Sequence, residues 1–154
     1  MKYVVLEAPS CIYFVSRKEL TVLEIPSVAE NVVPELYLAA ERAQIEISGP
    51  NQFIYYEFDG SVSRPFTLDF AIPVAGKKPY QGDFAYRDAG EFKCAARMYV
   101  GALSGLGRAW EEFAEQLVKD GYNLGAERRE IYKIWDAHDS ERNMTELQME
   151  IVDN

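Results

Sequence analysis

Hydrophobic and polar positions follow one order of periods along this chain, and then follow it again. The run Cys11 to Lys18, with Ile12-Tyr13-Phe14-Val15 at its centre, predicts a strand set off by Pro9-Ser10. Leu20 to Ile25 predicts a second, short extended stretch that stops at Pro26. Leu36, Ala39, Ala40 and Ala43 then recur at helical spacing. The helix is expected to run from Pro34 to Ala43, because proline suits a first helical turn and Glu35 complements the helix dipole there. Gly49-Pro50 breaks the chain before the heptad Phe53-Ile54-Tyr55-Tyr56-Glu57-Phe58-Asp59, and a strand from Phe66 to Ile72 closes the first half.

After the link Gly76-Lys77-Lys78-Pro79, the second half opens with Phe84 to Arg87 and a turn at Asp88-Ala89-Gly90-Glu91. Lys93 to Val100 alternates Cys94, Ala96, Met98 and Val100 with Ala95, Arg97 and Tyr99, a strand pattern. Leu103, Leu106, Trp110, Phe113 and Leu117 recur by threes and fours with Glu111, Glu112, Glu115 and Lys119 facing away, so an amphipathic helix is expected, stopped by Gly121.

The next heptad, Glu130-Ile131-Tyr132-Lys133-Ile134-Trp135-Asp136, aligns without a gap on the first. Thr145 to Val152 follows it as Thr67 to Val74 follows the earlier one. The chain therefore carries an internal repeat, approximately residues 7–75 and 82–152, of one strand–helix–strand–strand unit. The expected fold is α+β: a single domain over 1–154, antiparallel strands, two main helices on one sheet face and a ligand cleft between the halves.

The repeat singles out Glu130, which stands where the first half has the phenyl ring of Phe53. Alternate strand residues share a face, so Phe53 and Tyr55 go together, and by the repeat Glu130 and Tyr132 go with them. Ile54, Phe58, Ile131 and Trp135 lie on the other face, which is the better candidate for packing under the helices. The first face then offers rings and one carboxylate, the make-up of a site for an amphipathic cation. The plainer reading of the pattern alone is a charge on a solvated sheet face beside Arg128 or Arg129.

Composition narrows the function classes. Sixteen Lys and Arg against 25 Asp and Glu give a net charge of −9, which argues against a nucleic-acid footprint. Cys11 and Cys94 have no paired spacing, so neither a disulfide framework nor a zinc site is implied. Val4-Val5-Leu6 is too short for a signal peptide or a membrane span, and a soluble, cytoplasmic protein is expected. His138 sits in Asp136-Ala137-His138-Asp139-Ser140-Glu141, which follows no recognised metal spacing and reads as a polar loop. No cofactor or metal is expected.

Pro34-Glu35-Leu36, Gly49-Pro50 before Ile54-Tyr55-Tyr56, Arg129-Glu130-Ile131-Tyr132 with Asp136, and Thr145-Glu146-Leu147-Gln148 together resemble the GyrI-like small-molecule-binding domains, which are also the effector-binding domains of multidrug-sensing and AraC-type transcription regulators. The resemblance runs from about Glu7 to Ile151. It implies that Glu130 is the carboxylate that recognises lipophilic cations inside an aromatic pocket, with Tyr132 and Tyr55 as neighbouring rings. Family members often carry a His-x-Gly-Pro-Tyr-like turn before the second helix. Here Met98-Tyr99-Val100-Gly101-Ala102 keeps the glycine alone, with Tyr99 as a ring that can contribute to the pocket.

The expected function is binding of small hydrophobic, cationic or aromatic molecules by Glu130, Tyr132, Tyr55, Phe53 and Tyr99, as a sensor or sequestering protein. Some free-standing members resemble hydrolases, which offers Glu130 as a general base instead. The family's name-giver suggests a third reading, inhibition of a DNA topoisomerase. With no helix-turn-helix or basic segment in this sequence, direct DNA binding is not expected.

Overall fold

The computed structural model describes residues 1–153 and divides into two compact units. One comprises Met1–Ala8 and the chain from Phe92 onward, the other Pro9–Glu91. Each is a four-stranded antiparallel sheet with one helix, so the α+β class and the duplicated strand–helix–strand–strand order are as the sequence predicts.

In the Pro9–Glu91 unit, strand β2 (Cys11–Leu20) runs into a turn of 3-10 helix at Val22–Glu24 and helix α1 (Ile25–Arg42), followed by β3 (Gln52–Tyr56), β4 (Phe66–Val74) and β5 (Ala85–Ala89). The strand order is β5-β2-β4-β3. The expected extended stretch Leu20 to Ile25 is instead the helix entry, and the helix begins well before Pro34. Glu24 ties the entry by accepting from the Thr21 amide at 2.9 Å and from the Thr21 hydroxyl at 3.1 Å. Pro26 occupies the first turn, where its missing N–H costs nothing, so it starts the helix rather than ending a strand. Pro34 lies inside the helix, which buries Val32, Leu36 and Ala40 against the sheet.

The other unit contains β1 (Val4–Ala8), β6 (Phe92–Val100), helix α2 (Leu106–Lys119), β7 (Asn123–Ile134) and β8 (Met144–Val152), in the order β1-β6-β8-β7. Its edge strand β1 pairs with β6, Leu6 opposite Cys94, although β2 follows β1 in sequence. In the same way β5 pairs with β2 while leading into β6. Tyr3, just before β1, packs on Phe113 and donates its hydroxyl to Asp120 at the end of α2.

Register makes the duplication concrete. Phe53 pairs with Phe70 and Tyr55 with Leu68; Glu130 pairs with Leu147 and Tyr132 with Thr145. Thr145 thus corresponds to Leu68, one residue away from the sequence alignment to Thr67. The pairing keeps the offset of the heptads, so the second strand of each unit follows without the inserted residue that the sequence alignment implies.

The expected assignment of faces is reversed. Phe53 and Tyr55 join the core under α1 with Leu36, Leu68 and Phe70. Ile54 lies on the opposite face among Tyr13, Val15 and Ala71. Phe58 belongs to neither alternation, because Glu57 turns to φ 54° and ends the strand, letting Phe58 pack on Tyr55 and Phe66. Trp135 is exposed.

Cys94 is buried on β6, and that burial pushes its thiol up to about 11, with Glu146 adding to the shift and Arg129 opposing it. The folded state therefore holds an extra proton between about 9.0 and about 11, and stability is expected to fall as pH rises through that window. Thiol titration near neutral pH should leave Cys94 unmodified until denaturant is added.

Candidate functional site

Strand β7 carries Arg128, Glu130 and Tyr132 on the face that α2 covers, and the register sets Met149, Leu147 and Thr145 of β8 beside them. One strand further, Ala95, Arg97 and Tyr99 of β6 complete the rows. Helix α2 turns Leu106, Ala109, Trp110, Phe113 and Leu117 inward. Trp110 meets Glu130 directly: its indole N–H donates to Glu130 Oε2 at 2.6 Å. The Tyr132 hydroxyl donates to the other oxygen, Oε1, also at 2.6 Å.

Glu130 is 2% exposed, Trp110 5% and Tyr132 8%. The reading of Glu130 as a solvated strand charge is thereby excluded. A buried carboxylate costs several kcal/mol in lost hydration, which charge-assisted hydrogen bonds offset only in part. The Arg128 guanidinium lies 5.0 Å from the centre of the Trp110 ring, so the indole is held between a cation and a carboxylate. Arg97 Nη1 donates to the Ala109 carbonyl at 3.2 Å, fixing the first turn of α2 to the sheet.

Of the residues the sequence singles out, Glu130 and Tyr132 are brought into contact. Tyr99 shares a cross-strand row with Thr145, which in turn pairs with Tyr132. Its hydroxyl donates to the Ala102 carbonyl at 2.7 Å, and Gly105 leaves it room, since a Cβ there would come within 2.2 Å of that oxygen. Tyr55 and Phe53 lie in the core of the Pro9–Glu91 unit, Tyr55 stacked on Phe66 at 5.5 Å and Phe53 edge-on to Phe70 at 4.9 Å. A groove of about 480 Å³ in that unit, lined in part by Ser10, Cys11, Ser48 and Asp88, includes none of these residues.

Sequence reasoning missed Trp110, which it placed on the apolar stripe of α2. A buried tryptophan needs an acceptor for its N–H, and that requirement was the available signal. It also missed a second buried carboxylate, Asp69 on β4, which is fully buried on the face away from α1. Asp69 accepts a two-pronged contact from Arg17 (Nε at 2.9 Å, Nη2 at 3.0 Å) and the Tyr56 hydroxyl at 2.8 Å. Arg17 and Arg87 lie over the Tyr56 ring at 5.0 and 5.1 Å, and the bond to Asp69 raises the Arg17 pKa further. Such planar, bidentate geometry is that of a structural ion-pair network.

The architecture is the GyrI-like fold. The EcmrR C-terminal domain superposes with a TM-score of 0.82 at 18% identity over 98% of this chain and 97% of that one. In the EcmrR–DNA complex this chain spans only 57% of the EcmrR chain, with a TM-score of 0.81 at 19% identity over 97% of this chain. SAV2435 bound to tetraphenylphosphonium matches with a TM-score of 0.74 at 14% identity, over 99% of this chain and 94% of that chain. A hydrolase from Listeria innocua matches with a TM-score of 0.71 at 13% identity, over 98% and 92%. No family model and no curated protein matches the sequence. Among the described residues, no helix is long and apolar enough to cross a membrane.

Proposed function

We propose that this chain binds small lipophilic cations, with the Glu130 carboxylate as counter-charge and Trp110, Tyr132 and Tyr99 as the aromatic surround. The observation that carries this reading is the Glu130 carboxylate itself, buried and gripped at both oxygens by aromatic donors. A charge kept in the core at a cost in stability is a common mark of a functional site. The tetraphenylphosphonium on SAV2435, a protein of the same fold, supports a ligand of that class.

With Glu130 so enclosed, an entering cation must loosen the Trp110 or Tyr132 contact. Tetraphenylphosphonium should therefore change the emission of Trp110, read cleanly in a Trp135→Phe background because Trp135 is the other indole and is exposed. Saturable change that disappears in Glu130→Gln is the expected result; emission indifferent to the cation would remove the reading. Tyr132→Phe keeps the ring and deletes one donor to Glu130. It should tighten binding by about fivefold, the worth of roughly one hydrogen bond that the cation no longer has to open, as measured by calorimetric titration.

The Tyr132–Glu130 hydrogen bond also suits a second reading, in which Glu130 acts as general base and Tyr132 steadies an anionic intermediate. A hydrolase shares this fold. Steady turnover of an electrophilic small molecule, lost in Glu130→Gln, would favour it over simple binding.

A further inference from the structure

Thr145 is fully buried, and its hydroxyl oxygen has no hydrogen-bond partner. It sits on β8 directly opposite Tyr132 and directly opposite Tyr99, so it occupies the middle of an aromatic row on the same sheet face as Glu130. Diagonal neighbours on such a face lie about 7–8 Å apart, a gap that one small polar group can bridge. An orphaned hydroxyl in a core is a cost without a structural return.

The duplication shows that the fold does not require it. Leu68, the register counterpart of Thr145, is a core leucine under α1. Phe53, the counterpart of Glu130, is likewise apolar. At the same sequence separation, Val33 of α1 stands where α2 has Trp110. Three apolar positions of one unit are thus polar or hydrogen-bonding in the other. Two of them, Glu130 and Trp110, are already bonded to each other. The third is the free hydroxyl.

We infer that Thr145 is a specificity residue of the Glu130 site, its hydroxyl accepting a hydrogen bond from an N–H on the cation. This rests on the binding reading above and names the ligand class more narrowly: amphipathic ammonium ions that retain an N–H at or beside the charge, in preference to fully substituted quaternary ammonium or phosphonium ions. Glu130 supplies the charge for either kind. Only the N–H-bearing cation satisfies Thr145; a fully alkylated one buries the hydroxyl unsatisfied a second time.

The test compares protonated 4-phenylbenzyl-dimethylamine with its trimethylammonium analogue, titrated into wild type, Thr145→Val and Thr145→Ser. The affinity ratio is expected to favour the tertiary ammonium about fivefold in wild type, to fall to near one in Thr145→Val, and to persist in Thr145→Ser. The ligand-free Thr145→Val protein should melt about 2 °C higher than wild type, because it sheds an unsatisfied polar group. An unchanged ratio in Thr145→Val overturns the inference, as does a melting point lowered by the same substitution, which would make the hydroxyl a structural hydrogen-bonder. If wild type binds both cations with the same affinity, Thr145 is not a specificity residue although cation binding stands. If wild type binds neither, the binding reading itself fails and this inference with it.

Discussion

Glu130→Gln is expected to weaken binding of tetraphenylphosphonium by a factor on the order of 100 while leaving the fold intact. A unit charge about 5 Å from a cation, in surroundings of intermediate effective dielectric, contributes about 3 kcal/mol, and glutamine removes that term alone. The amide oxygen still accepts from Trp110 or Tyr132, so the shape of the cluster and its packing against α2 are retained. Loss of a buried charge also lowers the desolvation cost of folding, and the ligand-free variant should melt within a few degrees of wild type. Calorimetric titration beside a thermal melt separates the two effects. A variant that binds as tightly as wild type would show that the carboxylate is not the counter-charge.

Asp69→Ala is expected to be strongly destabilising. It removes the acceptor for two nitrogens of Arg17 and for the Tyr56 hydroxyl and leaves a hole in a fully buried position. Breaking a buried pair from one side costs about 3–5 kcal/mol, which lowers the melting temperature by about 10 °C in a domain of this size. Arg17→Ala should cost a comparable amount: although the Arg17 side chain is 57% exposed, its removal leaves the fully buried Asp69 carboxylate without its two-pronged partner. Denaturant melts of both variants check the two costs; an Asp69→Ala loss below about 1 kcal/mol would mean the network is ornamental.

The duplication was legible in the sequence because two heptads keep the same alternation, and the pairing of Phe53 with Phe70 and of Glu130 with Leu147 reproduces it. Helix α2 was legible for the same reason, its apolar stripe being uninterrupted by proline. Helix α1 was cut short because Pro26 reads as a stop and Pro34 as a start, whereas the Thr21–Glu24 cap and the apolar face from Val28 to Val33 carry the helix through both. Which strand joins which sheet was not legible: β1 and β5 each pair with a strand that is not the next one in sequence on their own side of the chain, and alternation says nothing of partners.

The faces were assigned wrongly because the face of the Pro9–Glu91 sheet away from α1 also buries apolar side chains beside its polar ones. Ile54 is fully buried without any helix above it, among Tyr13, Val15 and Ala71. Isoleucine at that position therefore carries no information about where α1 lies. Glu130 and Tyr132 could be singled out because a charge interrupted a repeated apolar position. Trp110 and Thr145 could not, since a tryptophan on an amphipathic stripe and a threonine in a strand are both ordinary until the hydrogen bonds are known.

A crystal structure of this chain grown with tetraphenylphosphonium is the most direct measurement. Cation binding at Glu130 requires the phosphonium to lie against Trp110 and Tyr132, nearer the Glu130 carboxylate than any other acid, with at least one of the two hydrogen bonds to Glu130 opened. A complex in which the Trp110–Glu130–Tyr132 contacts are undisturbed and the cation lies elsewhere would contradict it.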